Sequence, residues 1–248
     1  MIRDAWALRS GVRLHYLDSG EREEVDRIPL MYIPGALESA EHFRSEMEKL
    51  APRRTLAISW RGAGKSDAPE AGYSLEDQVE DAEAVMEEAL EGRFCLMAYS
   101  MGVPRAIELA ARHPRRVAGL ILIDYPARYP AIPETWVERM LSSPRKIPER
   151  VVRAMQRESR EVFLWDRLRE IRCPAFVLRG GGEGSLLKEA DAALFRERLP
   201  RVEIAVMPEA GHDVWNPDYG RFFRAVVSFL EERDREEGES SGALKEKG

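Results

Sequence analysis

The sequence predicts an α/β fold built on a doubly wound, mostly parallel sheet. Six apolar runs of strand length recur, "PLMYI", "TLAIS", "RFCLMA", "VAGLILID", "PAFVLRG" and "VEIAVMP". Their hydrophobicity is continuous rather than alternating, the pattern of strands covered on both faces. Amphipathic stretches of helical length lie between them, as parallel strands require. At 248 residues, 44% of them hydrophobic, the chain can build one sizeable core and is too short for two full domains.

Taken in order, the opening "WALRSGVRLHYLDSG" reads as an antiparallel hairpin, which an eightfold βα barrel of this length would not supply. The stretches "SAEHFRSEMEKLA", "SLEDQVEDAEAVMEEALEG", "MGVPRAIELAARH", "KEADAALFRERL" and "PDYGRFFRAVVSFLEERD" read as helices. Ser74 with Asp77 marks a helix start, because a serine cap and an acid three residues on satisfy orphan amides. Between "LILID" and "CPAFVLRG" the rhythm breaks. Pro126, Pro130, Pro133, Pro144 and Pro148 punctuate short helical pieces carrying Trp136, Met140, Met155, Phe163 and Trp165. The expected organisation is therefore a core over 1–126 and 170–233, a short cap insertion over 127–169, and a tail over 234–248. That tail has too little apolar content to order itself and is expected to be disordered.

Composition narrows the function. Lysine and arginine number 38 against 44 acidic residues, a net charge of −6 with no basic block, which disfavours a nucleic-acid partner. Arg3, Asp4, Arg9 and Arg13 interrupt any apolar segment near the start, so no signal peptide or membrane anchor is read there, and the expectation is a cytoplasmic protein. Two cysteines, Cys95 and Cys173, each beside an apolar run, imply small buried hydrophobes rather than a disulfide framework or a metal cluster. The partner expected is a small-molecule substrate, with no membrane partner and no cofactor.

Two stretches compete to carry chemistry. "SWRGAGKSDAP" nearly spells the phosphate-binding signature G-x-x-x-x-G-K-[ST], but Ser59 stands where glycine must let backbone amides turn inward. Pro69 also opposes a helix starting at the lysine. In "RFCLMAYSMGVPRAIELAARHP", by contrast, a strand runs directly into Ser100 and then into a helix. A serine on such a sharp turn is presented above the sheet edge, and its neighbours two residues away, here Ala98 and Gly102, must be small. The plain alternative is a serine that caps the helix. Serine needs a base, and of His15, His42, His113 and His212 the last stands apart. It lies in "MPEAGHDVWNP", after the final strand and before the final helix.

These features together resemble the α/β-hydrolase fold superfamily, specifically its small single-domain serine hydrolases of the esterase and haloperoxidase-like type, and the likeness runs from "SGVRLHYLDSG" to "FFRAVVSFLEE". "SWRGAGKSDAP" is similar to the family's D-x-R-G-x-G-x-S-x-x-P loop, a structural turn, with Ser59 replacing the usual aspartate. The resemblance implies Ser100 as nucleophile, His212 as base, and the Ala36 and Met101 amides as an oxyanion hole. Serine at the elbow speaks against the dehalogenase and epoxide-hydrolase branches, which use aspartate there. Pro34 in "YIPGALES" replaces the family's histidine, and Tyr99 stands where histidine often precedes the nucleophile. The acid is open: "LRGGGEGSLL" places Gly184 where many relatives have aspartate. Glu183 could reach from a bent loop, and Asp124 at the end of "LILID" could reach from a strand end, which fixes direction better.

The expected function is a cofactor-independent serine hydrolase acting on an ester, thioester or related acyl bond of a small, mainly apolar substrate, with Trp136, Met140, Phe163 and Trp165 around its site, although residues at such spacing more often simply pack a cap onto the core. Carbon–carbon bond hydrolysis and perhydrolysis on the same scaffold are the enzymatic rivals. A catalytically silent member that binds a ligand or a partner is the rival of another class.

Overall fold

The computed structural model describes residues 1–20, 27–144 and 147–245. Strands β1 (Arg3–Arg9) and β2 (Val12–Asp18) form the expected hairpin. Its turn residues Ser10 and Gly11 both have positive φ, 49° and 82°, the backbone hand that matches strand twist in a two-residue connection. β3 (Leu30–Ile33), β4 (Thr55–Ile58), β5 (Phe94–Tyr99) and β6 (Val117–Ile123) follow. The two-residue strands β7 (Arg128–Tyr129) and β8 (Val162–Phe163) pair only with each other. β9 (Ala175–Gly180) and β10 (Val202–Met207) complete an eight-stranded sheet of order β1-β2-β4-β3-β5-β6-β9-β10. It is parallel from β4 to β10 and antiparallel across β1, β2 and β4.

The continuous hydrophobicity of the strands has the anticipated cause. Along β5, Phe94, Leu96 and Ala98 face one core cluster, and Cys95, Met97 and Tyr99 face another. The first cluster is closed by α2 (Leu75–Ala89), α3 (Gly102–Arg112) and α6 (Glu189–Arg198), and the second by α1 (Arg44–Lys49) and α7 (Tyr219–Lys245). Ser74 caps α2 by accepting the Asp77 N–H at 3.1 Å. Burial pushes the thiols of Cys95 and Cys173 up to about 12, so both are inert small hydrophobes.

Residues 127–169 hold β7, α4 (Glu134–Leu141), α5 (Glu149–Glu158) and β8. Tyr129, Ile132, Val137, Val151, Val152 and Met155 form a third apolar cluster with Leu37, Tyr73 and Met101, which seats this segment over the carboxyl ends of the central strands.

One expectation needs correction. Most of the 234–248 tail is helical, because α7 continues to Lys245; residues 246–248 lie outside the described residues. The buried Arg53 guanidinium holds Asp234 through bonds of 2.9 and 2.6 Å, and Arg201 pairs with Glu236 at 3.0 Å. Low apolar content misled here because the anchoring is ionic and because glutamate, arginine and lysine propagate a helix well. No helix among the described residues is long and apolar enough to cross a membrane.

Candidate active site

In an open parallel sheet, ligands bind outside the carboxyl ends of the strands, and three such ends converge here. β5 ends at Ser100, whose φ of 55° is the left-handed conformation that turns a strand sharply into a helix. Its N–H donates to the Ile123 carbonyl at 3.0 Å, and its carbonyl accepts from Val103 at 2.9 Å. Strand and helix approach so closely that a Cβ on Gly102 would stand 2.5 Å from the Ile33 carbonyl oxygen. Only glycine fits there.

β6 ends at Asp124, also left-handed with φ 47° and fully buried. Its Oδ1 accepts from the Gly180 N–H at 3.0 Å and the Ser185 hydroxyl at 2.6 Å, and its Oδ2 accepts from the Leu186 N–H at 2.9 Å. The loop after β9 thus folds around this carboxylate. Burial pushes its pKa up, but hydrogen bonds from His212, Ser185, Leu186 and Gly180 outweigh that and hold it below its ordinary value, so it is ionised.

His212, in the loop after β10, joins the two. Nδ1 lies 2.9 Å from Asp124 Oδ2, and Nε2 lies 2.9 Å from Ser100 Oγ. With the carboxylate accepting, Nδ1 carries the proton and Nε2 is left as the acceptor for the Ser100 hydroxyl. Both ring nitrogens are thereby engaged. Glu183 is exposed and is no partner of His212 among the described residues. A strand end fixed the carboxylate where a glycine-rich loop did not.

Ala36 and Met101 line the same cleft as Ser100 and His212, a cavity of about 700 Å³. The backbone that carries Ala36 is held from two sides. Glu38 accepts the Gly35 N–H at 2.9 Å, and the buried Trp60 indole N–H donates to the Pro34 and Gly35 carbonyls at 3.1 and 2.9 Å. Neither Glu38, Trp60 nor Ser185 was singled out from sequence. Trp60 carried a signal in retrospect, as a buried-type aromatic with a donor that needs an acceptor, inside a loop otherwise rich in small residues.

Tyr99 also belongs to the site. Its ring stacks on His212 with centroids 4.8 Å apart, and its hydroxyl donates to Asp213 at 2.9 Å. Burial first, then the Asp213 carboxylate, pushes its phenol far above the usual value, so it remains a neutral donor.

The remaining expectations divide. Trp136 and Met140 line the cleft, but Phe163 is 61% exposed in β8, and Trp165 packs edge-on against Phe195 at 5.4 Å. Neither of those two lines the cleft, whereas Arg128 and Arg139 do. The expectation of an apolar rather than a charged site is therefore corrected in part: two of its four residues line the cleft, beside two arginines, because spacing shows which residues are large and not which way they turn. In "SWRGAGKSDAP", Lys65 pairs with Asp4 at 2.6 Å, Ser66 donates to the Ser59 carbonyl at 2.8 Å, and Asp67 accepts the Arg13 N–H at 2.9 Å. A Cβ on Gly64 would meet the Ser39 side chain at 2.7 Å. These groups tie the loop to the hairpin. His113 pairs with Glu83 at 2.9 Å, and His42 lies in a 3-10 turn. Among the described residues Asp4, His15 and Glu41 bring ligand atoms close together, but Lys65 already bridges both carboxylates.

The family model for the alpha/beta hydrolase fold matches residues 28–172. The chain belongs to this family. Along most of both chains it is similar to 2-(acetamidomethylene)succinate hydrolase of Mesorhizobium japonicum, 24% identical over 82% of this chain and 88% of that one. N-formylmaleamate deformylase of Pseudomonas putida is 26% identical over 90% and 94%. Among solved structures, the enol-lactonase from Burkholderia xenovorans superposes with a TM-score of 0.75 over 92% of this chain and all of that one, at 19% identity. The relatives are hydrolases, and this chain is a hydrolase of the same superfamily.

Proposed function

We propose that the protein is a cofactor-independent serine hydrolase of acyl bonds. The observation that carries this reading is the continuous chain from Ser100 through His212 to the buried, ionised Asp124, opening at its serine end on a cleft. Ser100 Oγ attacks the substrate carbonyl carbon while His212 Nε2 takes its proton. The Ala36 and Met101 amides stabilise the oxyanion that forms. The tetrahedral adduct collapses, His212 returns the proton to the leaving group, and water then repeats the sequence to release the acid. Asp124 holds the imidazole tautomer throughout. Tyr99 and Asp213 steady the histidine loop, and Trp60 and Glu38 steady the loop of the oxyanion donors.

The names of the two relatives matched along their length, an acetamido compound's hydrolase and an N-deformylase, add acylated nitrogen to the esters worth screening. The absent acid at Gly184 and the proline at 34 would favour a silent binder; against it, Asp124 Oδ2 lies 2.9 Å from His212 Nδ1, and the Pro34 carbonyl accepts from the Trp60 indole N–H. Release of 4-nitrophenol from a series of 4-nitrophenyl acyl esters tests the reading. Turnover that disappears in Ser100→Ala supports it. Absence of turnover on esters, thioesters and acyl amides alike contradicts it.

A further inference from the structure

The lining of the cleft holds an imbalance of charge that the catalytic chain does not use. Trp136, Arg139 and Met140 lie three and four positions apart on α4, so one helix face delivers all three, and all three line the cleft. Arg139 has no ion pair among the described residues. Arg128 enters the same cleft from β7, where its nearest carboxylate, Glu161, is 3.6 Å away and both side chains are about half exposed, 47% and 49%. That distance is too long for a hydrogen bond, and an exposed pair of this kind holds its partners weakly. Among the described residues of the lining, the one carboxylate is Glu38, which is buried and accepts the Gly35 N–H at 2.9 Å.

We propose that Arg128 and Arg139 form an anion subsite in this cleft, and that the substrate is an acyl compound bearing a free carboxylate, such as a half-ester or half-amide of a short dicarboxylic acid. The proposal rests on the hydrolase reading and names its substrate class. A guanidinium matches a carboxylate in plane and in spacing, with two parallel N–H···O bonds. Among the described residues, these two arginines line one cleft with only the half-exposed Glu161 within ion-pair distance of either. A singly charged carboxylate suits them better than a phosphate, because Glu161 already offsets part of the charge. Trp136 and Met140 then cover the short carbon chain between the anchored carboxylate and the carbonyl presented to Ser100.

The test is calorimetric titration of the full-length Ser100→Ala variant, which binds without turning over, with monomethyl glutarate, dimethyl glutarate and methyl phosphate. The half-ester is expected to bind about tenfold or more tightly than the diester. That advantage should shrink in 0.5 M salt and vanish when Arg128→Met and Arg139→Met are added. Both arginines are at the surface, and circular dichroism of the triple variant checks that it folds. Equal or tighter binding of the diester, tighter binding of methyl phosphate, no binding of any of the three, or an advantage that survives loss of both arginines overturns the subsite. Turnover by the wild type is measured separately, so failure of the hydrolase reading and failure of the subsite give different results.

Discussion

Among the described residues, two serine–histidine–aspartate chains run with nearly the same spacing. In one, Ser59 Oγ lies 2.9 Å from His15 Nδ1, and His15 Nε2 lies 2.8 Å from Asp4. In the other, Ser100, His212 and Asp124 are linked by 2.9 and 2.9 Å. Distance does not separate them, but orientation in the fold does. The first chain is buried at its serine end, with Ser59 2% and His15 0% exposed, and open at Asp4, which is shared with Lys65. The second is buried at its carboxylate and open at its serine. Ser59 Oγ also accepts the Ala40 N–H at 2.9 Å, so it pins a loop, whereas Ser100 stands on a left-handed turn beside two candidate oxyanion donors. A hydrogen-bonded triad becomes a reaction centre when its nucleophile faces substrate and its acid is held dry.

The largest expected effect separates the two chains outright. Ser100→Ala or His212→Ala should lower kcat by roughly six orders of magnitude with little change in the unfolding midpoint. Ser59→Ala should leave kcat of the folded protein unchanged, yet cost about 1–3 kcal/mol of stability, because the Ala40 N–H and a ring nitrogen of His15 lose their partner in the core. Denaturant melts alongside steady-state rates check both halves.

Next is the acid. Asp124→Asn should reduce kcat by roughly three to four orders of magnitude by favouring the wrong imidazole tautomer, while Glu183→Gln should change it by no more than about twofold, as a surface substitution does. The amide introduced by Asp124→Asn also turns donors toward groups that themselves donate to the native carboxylate, among them the Leu186 N–H, so a lower unfolding midpoint is expected too. The pH dependence has a definite sign. The folded pKa of Asp124 is depressed, so its contribution to stability is complete above the ordinary aspartate value, about 3.9, and is lost as pH falls through the folded value. The stability gap between wild type and Asp124→Asn, followed by melts at a series of pH values, should therefore narrow below about pH 4.

Among the residues in contact with His212, the smallest effect is expected at Tyr99. Tyr99→Phe keeps the ring on His212 but loses the bond to Asp213, a change worth about fivefold in kcat at most. A larger loss would assign Tyr99 a more direct part in holding the histidine.

How far the sequence carried follows the same contrast. The strands were legible because two-sided burial writes continuous apolar runs, and Ser100 and His212 because a strand-to-helix turn and a loop after the last strand are local features. Asp124 was preferred to Glu183 only because a strand end fixes direction; the choice itself depends on how the loop after β9 wraps, which Ser185 and the Gly180 and Leu186 amides determine through space. The Ser59–His15–Asp4 chain was equally invisible, because its members are brought together by the pairing of β2 with β1 and β4. The directions of Phe163, Trp165, Arg128 and Arg139 depend on how the 127–169 segment seats on the core. Side-chain direction in short elements is set by that tertiary packing and leaves little periodic trace.

Treatment of the intact protein with a fluorophosphonate, followed by peptide mass mapping, tests the central claim most directly, because both serines are present in one molecule under one set of conditions. The expected result is a single phosphonyl adduct on Ser100, absent from His212→Ala, with Ser59 unmodified. An unlabelled protein, or an adduct on Ser59 or any residue outside the cleft, would contradict it.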